Sequence, residues 1–299
     1  MHTLTKQEKG VKIAAYIILT LMSMFAVIPF WLLVSSSFSD SSYAIANGYR
    51  FLPQKTSLEA YRYIVSQWDQ IGHAYLITII VTVIGTSLSL LISTMLAYGL
   101  MQPGLPGGKL ITGLILFTML FSGGIVPQYM IYINYLNIKN TLLGLIVPNL
   151  LTNAFSVVLV RNFFMTTIPG ELREAMELDG AGPYRIYFQM VLPLSKPILA
   201  TLGIMAAITY WNDWNNALYY ITDTHLFSVQ QLLNEMNNNI NFLANNSSSL
   251  GLTRVDTKSL PTATIRLAIA VVAILPVMIA YPFFQKYFVK GITMGAVKG

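Results

Sequence analysis

The chain has 299 residues, 55% hydrophobic and only 10% charged, against roughly a quarter charged in a soluble domain, which excludes water as the solvent for most of it. The absence of cysteine excludes disulfides, thiolate metal sites and cysteine nucleophiles. The formal charge of +6 does not point to nucleic acid, because the basic residues are scattered around apolar runs and form no continuous stripe.

Lys6, Lys9 and Lys12 precede the first apolar run as in a signal peptide, but that run extends from Ile13 to about Ser36, beyond an ordinary h-region. It predicts an uncleaved first span after a short tail, residues 1–12. Five more runs follow, at Tyr75 to Leu100, Leu110 to Ile133, Thr141 to Val160, Ile198 to Tyr220 and Ile265 to Phe284. Each reaches roughly the 20 residues that cross a hydrocarbon core about 30 Å thick. Barrel strands would instead alternate in polarity over about ten residues. The expected fold class is all-α, a polytopic membrane protein with six transmembrane helices in residues 13–284 and a tail at 285–299. Pro29, Pro127, Pro148 and Pro276 fall inside the predicted spans, where each removes a helix hydrogen bond and favours a kink. Fixed bundle geometry and hinges are both compatible with that.

Orientation follows from Lys and Arg. With the N-terminus inside, the cytoplasmic set is Lys6, Lys9, Lys12, Lys109, Arg161, Arg173, Arg185, Lys196, Lys286, Lys290 and Lys298. The opposite set, Arg50, Lys55, Arg62, Lys139, Arg254 and Lys258, is smaller, so both termini are expected in the cytoplasm. Residues 40–74 and 222–264 then form external loops and 161–197 an internal one. The Asn- and Ser-rich stretch from Asn237 to Ser249 has little to bury and is expected to be a solvated or partner-facing loop. The sequon at Asn246 to Ser248 is a weak match.

The internal loop carries the clearest signal. Pro169 to Gly180 reads as a short helix, with Pro169 in the first turn, Glu171 favoured by the positive dipole end, and Gly180 as the left-handed residue after it. Leu172, Ala175 and Met176 share a face, flanked by Glu174 and Glu177. A second helix is expected from Pro183, with Tyr184, Tyr187, Phe188 and Val191 at similar spacing, until Pro193 ends it. Glu171, Glu174, Glu177 and Asp179 against Arg173 and Arg185 disfavour a seat on anionic lipid. Capping of its own bundle remains open, and docking into a groove on a partner fits best, since aromatic and methionine anchors ringed by charge suit helix-in-groove recognition.

Glu174-Ala175-Met176, then Gly180, then Met190-Val191-Leu192-Pro193, resembles the EAA loop of importer-type ABC transporter permeases, with Met176 replacing the second alanine and Met190 the isoleucine. Pro127, Tyr129 and Leu136 to Thr141 look like the region between the third and fourth spans in the carbohydrate-uptake branch, which includes the smaller maltose-importer permease. The ending Tyr281 to Gly299 is similar to that branch and more so to Gram-positive permeases for complex polysaccharides. The resemblance implies a type I ABC importer permease fold whose cytoplasmic helix-turn-helix is a coupling loop. It implies a bacterial plasma-membrane subunit paired with a second, different permease, two copies of a cytoplasmic ABC ATPase and an extracellular sugar-binding protein. ATP and Mg would be held by the ATPase, with no cofactor on this chain. Coupling would then fall to Glu174, Ala175, Met176, Asp179, Gly180, Tyr184, Leu192 and Pro193. A tail including Gly291, Gly295, Lys298 and Gly299 would reach toward the ATPase interface.

The fifth predicted span contains Tyr210-Trp211-Asn212-Asp213-Trp214-Asn215-Asn216. Aromatic rings stack on the C–H faces of sugars while Asn and Asp take hydroxyls, so Trp211, Asn212, Asp213, Trp214 and Asn215 are candidate substrate-path residues. An interfacial aromatic belt is the other reading; Asp213 tips the choice, because an intramembrane carboxylate usually faces a polar cavity or partner. Arg266 is expected to snorkel at the start of the last span, and Tyr129, Tyr132 and Tyr135 to pack or join a belt. His2, His73 and His225 are isolated and support no metal site.

No catalytic residue is expected. The nearest approach to a phosphate loop, Gly104 to Leu110, has Pro103 where the first glycine belongs and Leu110 in place of Ser or Thr. Ser122 has neither a buried His nor a facing Asp pair for intramembrane proteolysis. An ion-coupled carrier or channel is the main rival, although Asp213 is the one plausible intramembrane acid available to it.

Overall fold

The computed structural model describes the backbone of residues 6–246 and 263–296, and it is all-helical, with no strand among the described residues. The chain divides into two compact units, Met1–Asp69 with Glu235–Leu275, and Gln70–Asn234 with Pro276–Gly299.

Three helices are each long and apolar enough to cross a bilayer. These are α1 (Lys6–Ser37, apolar from Gly10), α4 (Trp68–Met101), and the last helix, α14 (Ala263–Ala296, apolar over Thr264–Pro282). They form where sequence predicts them because nothing interrupts their apolar runs, although α4 begins seven residues before Tyr75. Pro29, Pro276 and Pro282 lie inside α1 and α14. Along α1 the side chains from Gly10 to Trp31 are exposed, an apolar surface far larger than soluble proteins tolerate.

The third, fourth and fifth predicted spans are not continuous helices. The third divides into α5 (Gly108–Leu120) and α6 (Ile125–Asn134), bent by 120°. Phe121 is extended and Gly124 has φ 81°, a backbone region open to glycine at no steric cost. Pro127 consequently lies in the first turn of α6, where the missing N–H would have no helical partner anyway. The fourth divides into α7 (Leu142–Ile146) and α8 (Ala154–Thr167). Pro148 follows the end of α7 and Asn149 is left-handed at φ 59°, so the helix stops and restarts only when Asn153 caps α8 by accepting from the Ser156 N–H. Arg161 therefore sits inside α8 rather than at a loop start, and its Nε donates to the Leu100 carbonyl at 3.1 Å. The fifth divides into α11 (Lys196–Trp211) and α12 (Asn215–Tyr220).

The predicted polar loop after α12 is also corrected. After a single 3₁₀ turn at Thr224–Leu226 the chain forms α13 (Val229–Asn246), which includes Asn237, Asn238, Asn239, Asn245 and Asn246. Val229, Leu232 and Met236 recur at helical spacing and are buried, and that stripe outweighs the weak helix propensity of asparagine. Ser247 to Ser249, Arg254 and Lys258 lie outside the described residues, as do His2, Lys298 and Gly299. Arg266 donates Nη1 to Asn237 Oδ1 of α13. Tyr129 and Tyr132 pack on the Tyr220 ring, with centroids 5.7 and 5.8 Å away, while Tyr135 is exposed.

The segment after α1 folds into α2 (Ser41–Asn47) and α3 (Glu59–Ser66), with residues 49–58 running between them. Asp40 caps α2 by accepting from the Tyr43 N–H at 3.0 Å and pairs with Lys55 Nζ at 3.2 Å. Those two contacts, the N–H first, hold its carboxyl below the ordinary value of 3.8. A lowered folded value contributes stability above the unfolded value that is lost as pH falls through the folded one. Asp40→Asn keeps a capping side chain but loses the charge. It is expected to lose less than about 1 kcal/mol at neutral pH and to flatten the acid limb of a stability curve below about pH 4. Thermal unfolding of wild type and variant across pH 3 to 7 checks this.

A rigid helix-turn-helix and a broken helix in the second unit

The predicted docking loop forms α9 (Gly170–Leu178) and α10 (Pro183–Leu194). Pro169 is the residue before α9 rather than its first turn. Gly180 has φ 77°, its N–H donates to the Glu177 carbonyl at 3.0 Å, and the Ala181 N–H donates to the Met176 carbonyl at 2.9 Å. These are the two bonds of a Schellman stop, with Ala181 buried and Met176 packed on the same apolar cluster, the hydrophobic contact that accompanies the motif. The turn between the helices is thereby fixed.

In α10, Pro183 occupies the first turn, as its fixed φ favours. Pro193 does not end the helix: the turn over Tyr187–Val191 is π-type, with the Leu192 N–H donating to the Tyr187 carbonyl, and the helix runs on to Leu194. A π-bulge widens the helix where the proline removes a donor. Ser195, fully buried, donates its hydroxyl to the Val191 carbonyl at 2.6 Å, and α11 departs at 81°.

Burial sorts the predicted coupling residues onto two faces. Ile186, Tyr187, Met190 and Val191 enter one apolar cluster with Ala97, Tyr98 and Leu100 of α4 and Val157, Val160 and Phe164 of α8, and Met176 and Leu192 pack against it. Tyr187, 1% exposed, shares a 2.7 Å hydrogen bond with the Thr94 hydroxyl, and Tyr98 donates to the Pro183 carbonyl at 3.2 Å. The opposite face presents Glu174, Ala175, Asp179, Gly180, Tyr184 (71% exposed) and Pro193, together with Leu178 (89%) and Phe188. The expected common face of Leu172, Ala175 and Met176 is thus split, with Leu172 and Ala175 outward and Met176 inward. Likewise Tyr184 and Phe188 are exposed while Tyr187 and Val191 are buried, although the Phe188 ring meets the Tyr187 ring edge-on at 4.9 Å. Sequence reading missed Ile186, Leu178 and Thr94. An Ile186/Met190 pair four residues apart was the available sign of a second apolar face.

In the fifth predicted span the helix breaks at Asn212 to Trp214. The Asp213 carboxylate accepts from the Asn216 N–H at 3.3 Å, a first-turn donor of α12 that has no helical partner. Asn216, buried, donates its Nδ2 to the Leu145 and Pro148 carbonyls at 3.3 and 2.9 Å, and the Tyr210 hydroxyl donates to the Ile146 carbonyl at 2.9 Å. The carbonyls that α7 leaves without helical partners are satisfied in this way. Asn140 clips the same region, with its Oδ1 accepting from the Thr222 and Asp223 N–H groups at 2.6 and 3.1 Å. Asn212, Trp214 and Asn215 are exposed and Asp213 is half-buried. Trp211 lines a cavity of about 500 Å³ with Thr82 and Thr86 of α4, Gly203 of α11 and Pro276 and Tyr281 of α14. No group of three or more potential metal ligands occurs among the described residues. Gly291 and Gly295 lie within α14.

Comparison with known proteins places this architecture. Residues 89–294, more than half of the chain, match the family model for the binding-protein-dependent transport system inner membrane component. The chain is 36% identical over 284 residues to the polygalacturonan/rhamnogalacturonan transport system permease protein YtcP of Bacillus subtilis, covering 95% of this chain and 96% of that one. It is 28% identical over 286 residues to the arabinooligosaccharides transport system permease protein AraQ of Halalkalibacterium halodurans, covering 93% of each. In structure it is similar to a chain from a bacterial ABC transporter involved in the import of the acidic polysaccharide alginate, with a TM-score of 0.79, 28% identity, and coverage of 96% of this chain and 100% of that one. The protein belongs to the family of binding-protein-dependent transport system inner membrane components and is a transport permease of the ABC importer type.

Proposed function

We propose that the chain is one of two different permease subunits of an ATP-driven importer of oligosaccharides or polysaccharide fragments, and that α9 and α10 dock on a cytoplasmic ABC ATPase. The supporting observation is the loop itself: an acidic, aromatic outward face on a helix pair whose inward face is bonded to α4. A docking element must transmit force, and a turn fixed by two backbone bonds and a buried tyrosine can do so. In this reading six spans cross the membrane, with α5 and α6, α7 and α8, and α11 and α12 each serving as one span, and both termini are cytoplasmic. The exposed apolar surface of α1 as far as Phe30 faces lipid and the second permease. ATP and Mg bind to two copies of the ATPase, an extracellular binding protein delivers the sugar, and Gly291 to Gly299 reaches toward the ATPase.

The cysteine-free sequence provides a direct test. In the assembled transporter, Glu174→Cys or Tyr184→Cys labelled with a maleimide benzophenone should photocrosslink to the ATPase, and Phe25→Cys should not. Equal crosslinking from all three positions, or none from the first two, would remove the docking assignment.

Trp211, Asn212, Trp214 and Asn215 are proposed to line the sugar path at the helix break, with Asp213 holding that break in shape. Asp213→Ala loses that hydrogen bond, about 1 kcal/mol, and is expected to lower uptake several-fold, whereas Asp213→Asn, which can still accept it, is expected to retain it. Uptake by the asparagine variant as poor as that of alanine would assign the carboxylate itself to the path. Unchanged selectivity and uptake in both would return the segment to an interfacial belt. An ion-coupled carrier is the weaker reading, because Asp213, the acid it would need, is engaged with a backbone N–H.

A further inference from the structure

The first unit holds a cavity of about 950 Å³, lined by Trp31, Phe38, Phe51, Leu52, Glu59 and Arg62 among others. Its volume lies near the upper end of the roughly 300–1,000 Å³ common for small-molecule sites. The walls are preorganised. Residues 50–57 are pinned to the end of α1 by Ser35 Oγ donating to the Arg50 carbonyl at 2.8 Å, Asp40 N to the Lys55 carbonyl at 2.9 Å, and Ser57 N to the Phe38 carbonyl at 2.8 Å. Trp31 Nε1 donates to the Phe51 carbonyl at 2.9 Å, which fixes the indole plane, and Phe38 stacks on Tyr61 at 4.7 Å.

The charges sort in a telling way. Nearby Lys55, outside the lining, is paired with Asp40; Glu59 and Arg62 are the charged groups of the lining. They stand three residues apart on α3, a spacing that puts both on one side of the helix, and no ion pair joins either to another described residue. A guanidinium is a planar fork matched to a carboxylate, and a carboxylate accepts from hydroxyl pairs. Exposed indole and phenyl faces, electron-rich at the centre, suit the C–H face of a pyranose. Aromatic faces, one fork of donors and one carboxylate within a single cavity form the recognition set for an acidic sugar. A lipid acyl chain would need neither charged group.

We propose that this cavity is a capture site for a uronate-bearing saccharide, with ring faces against Trp31 and Phe51, the uronate carboxylate on Arg62, and hydroxyls on Glu59. The proposal rests on the importer reading, which puts residues 40–74 on the side from which cargo arrives. It adds a contact point on this chain, distinct from the helix break at Asn212 to Trp214, and a charge preference for the cargo.

The test is titration of the full-length chain, in nanodiscs of zwitterionic phosphatidylcholine, with trigalacturonate and with its neutral methyl ester. Trigalacturonate should bind, the ester at least tenfold more weakly, and Arg62→Gln and Trp31→Leu should each weaken trigalacturonate by tenfold or more. Arg62 is exposed, so its variant reports on binding even if the tryptophan variant folds poorly. Equal binding of acid and ester, or unchanged binding by Arg62→Gln, would overturn the proposal. So would absence of saccharide binding, and Arg62-dependent retention of phosphatidylglycerol in that case would assign the site to a lipid headgroup. Binding is read without ATPase or second permease, so its failure leaves ATP-driven uptake standing. Ion-driven uptake with intact trigalacturonate binding would instead sink the importer reading alone.

Discussion

Gly180→Pro is expected to reduce ATP-driven sugar uptake to background while the protein still inserts in the membrane. Position 180 holds φ 77°, and a proline ring locks φ near −65°. The substitution also removes the Gly180 N–H that donates to the Glu177 carbonyl, breaking one of the two bonds of the turn. Even alanine should cost about 1–2 kcal/mol in a left-handed conformation, so Gly180→Ala is expected to give intermediate uptake. Glu174→Lys tests the same loop by another route. Glu174 is exposed, a setting in which substitutions usually change stability by less than about 0.5 kcal/mol, so its expected loss of uptake would reflect reversed charge at the partner surface. Uptake assays in proteoliposomes, beside a protease-accessibility check of insertion, separate the outcomes. Normal transport by both Gly180→Pro and Glu174→Lys would leave the loop without a coupling role.

Tyr187→Ala should be the most destabilising single change in the loop. The side chain is buried against Tyr98, with ring centroids 5.4 Å apart, and bonded to Thr94. Truncating a buried aromatic costs about 3–5 kcal/mol through lost contacts and the cavity left behind. Tyr187→Phe keeps the volume and removes the hydroxyl, for a loss nearer 1 kcal/mol. Thr94→Val should lose a similar amount, and the double variant should lose less than the sum because the two hydroxyls share one bond. Thermal unfolding in detergent micelles measures all four. A Tyr187→Ala protein as stable as wild type would mean that α10 is not anchored through this residue.

The sequence made the uninterrupted helices legible and concealed the interrupted ones. α1, α4 and α14 each contain an unbroken apolar run long enough to span, and length alone identifies them. In the third and fourth predicted spans the breaks lie inside windows that remain apolar, at Gly123-Gly124 and at Pro148-Asn149, where backbone conformation rather than polarity changes. The break at Asn212 to Trp214 was visible as composition but not as geometry, because Asp213 had to find the Asn216 N–H to show that it holds the break. α13 was missed for the opposite reason: its asparagines suggested a loop, while burial of Val229, Leu232 and Met236 decided for helix.

The helix-turn-helix of α9 and α10 was readable as two helices around Gly180, since proline and glycine preferences act locally. Which face turned outward was not. α10 carries two apolar faces, Tyr184 with Phe188, and Ile186 with Tyr187, Met190 and Val191. Periodicity alone cannot say which one meets α4 and which is left for a partner.

ATP-driven sugar import by this permease is tested by uptake into sealed vesicles holding this chain, its second permease, the ATPase and the binding protein. Sugar should accumulate only when ATP and Mg are supplied on the side that exposes Glu174, and should stop when ATP is replaced by a non-hydrolysable analogue. Accumulation that persisted without ATP and followed an imposed ion gradient would contradict it.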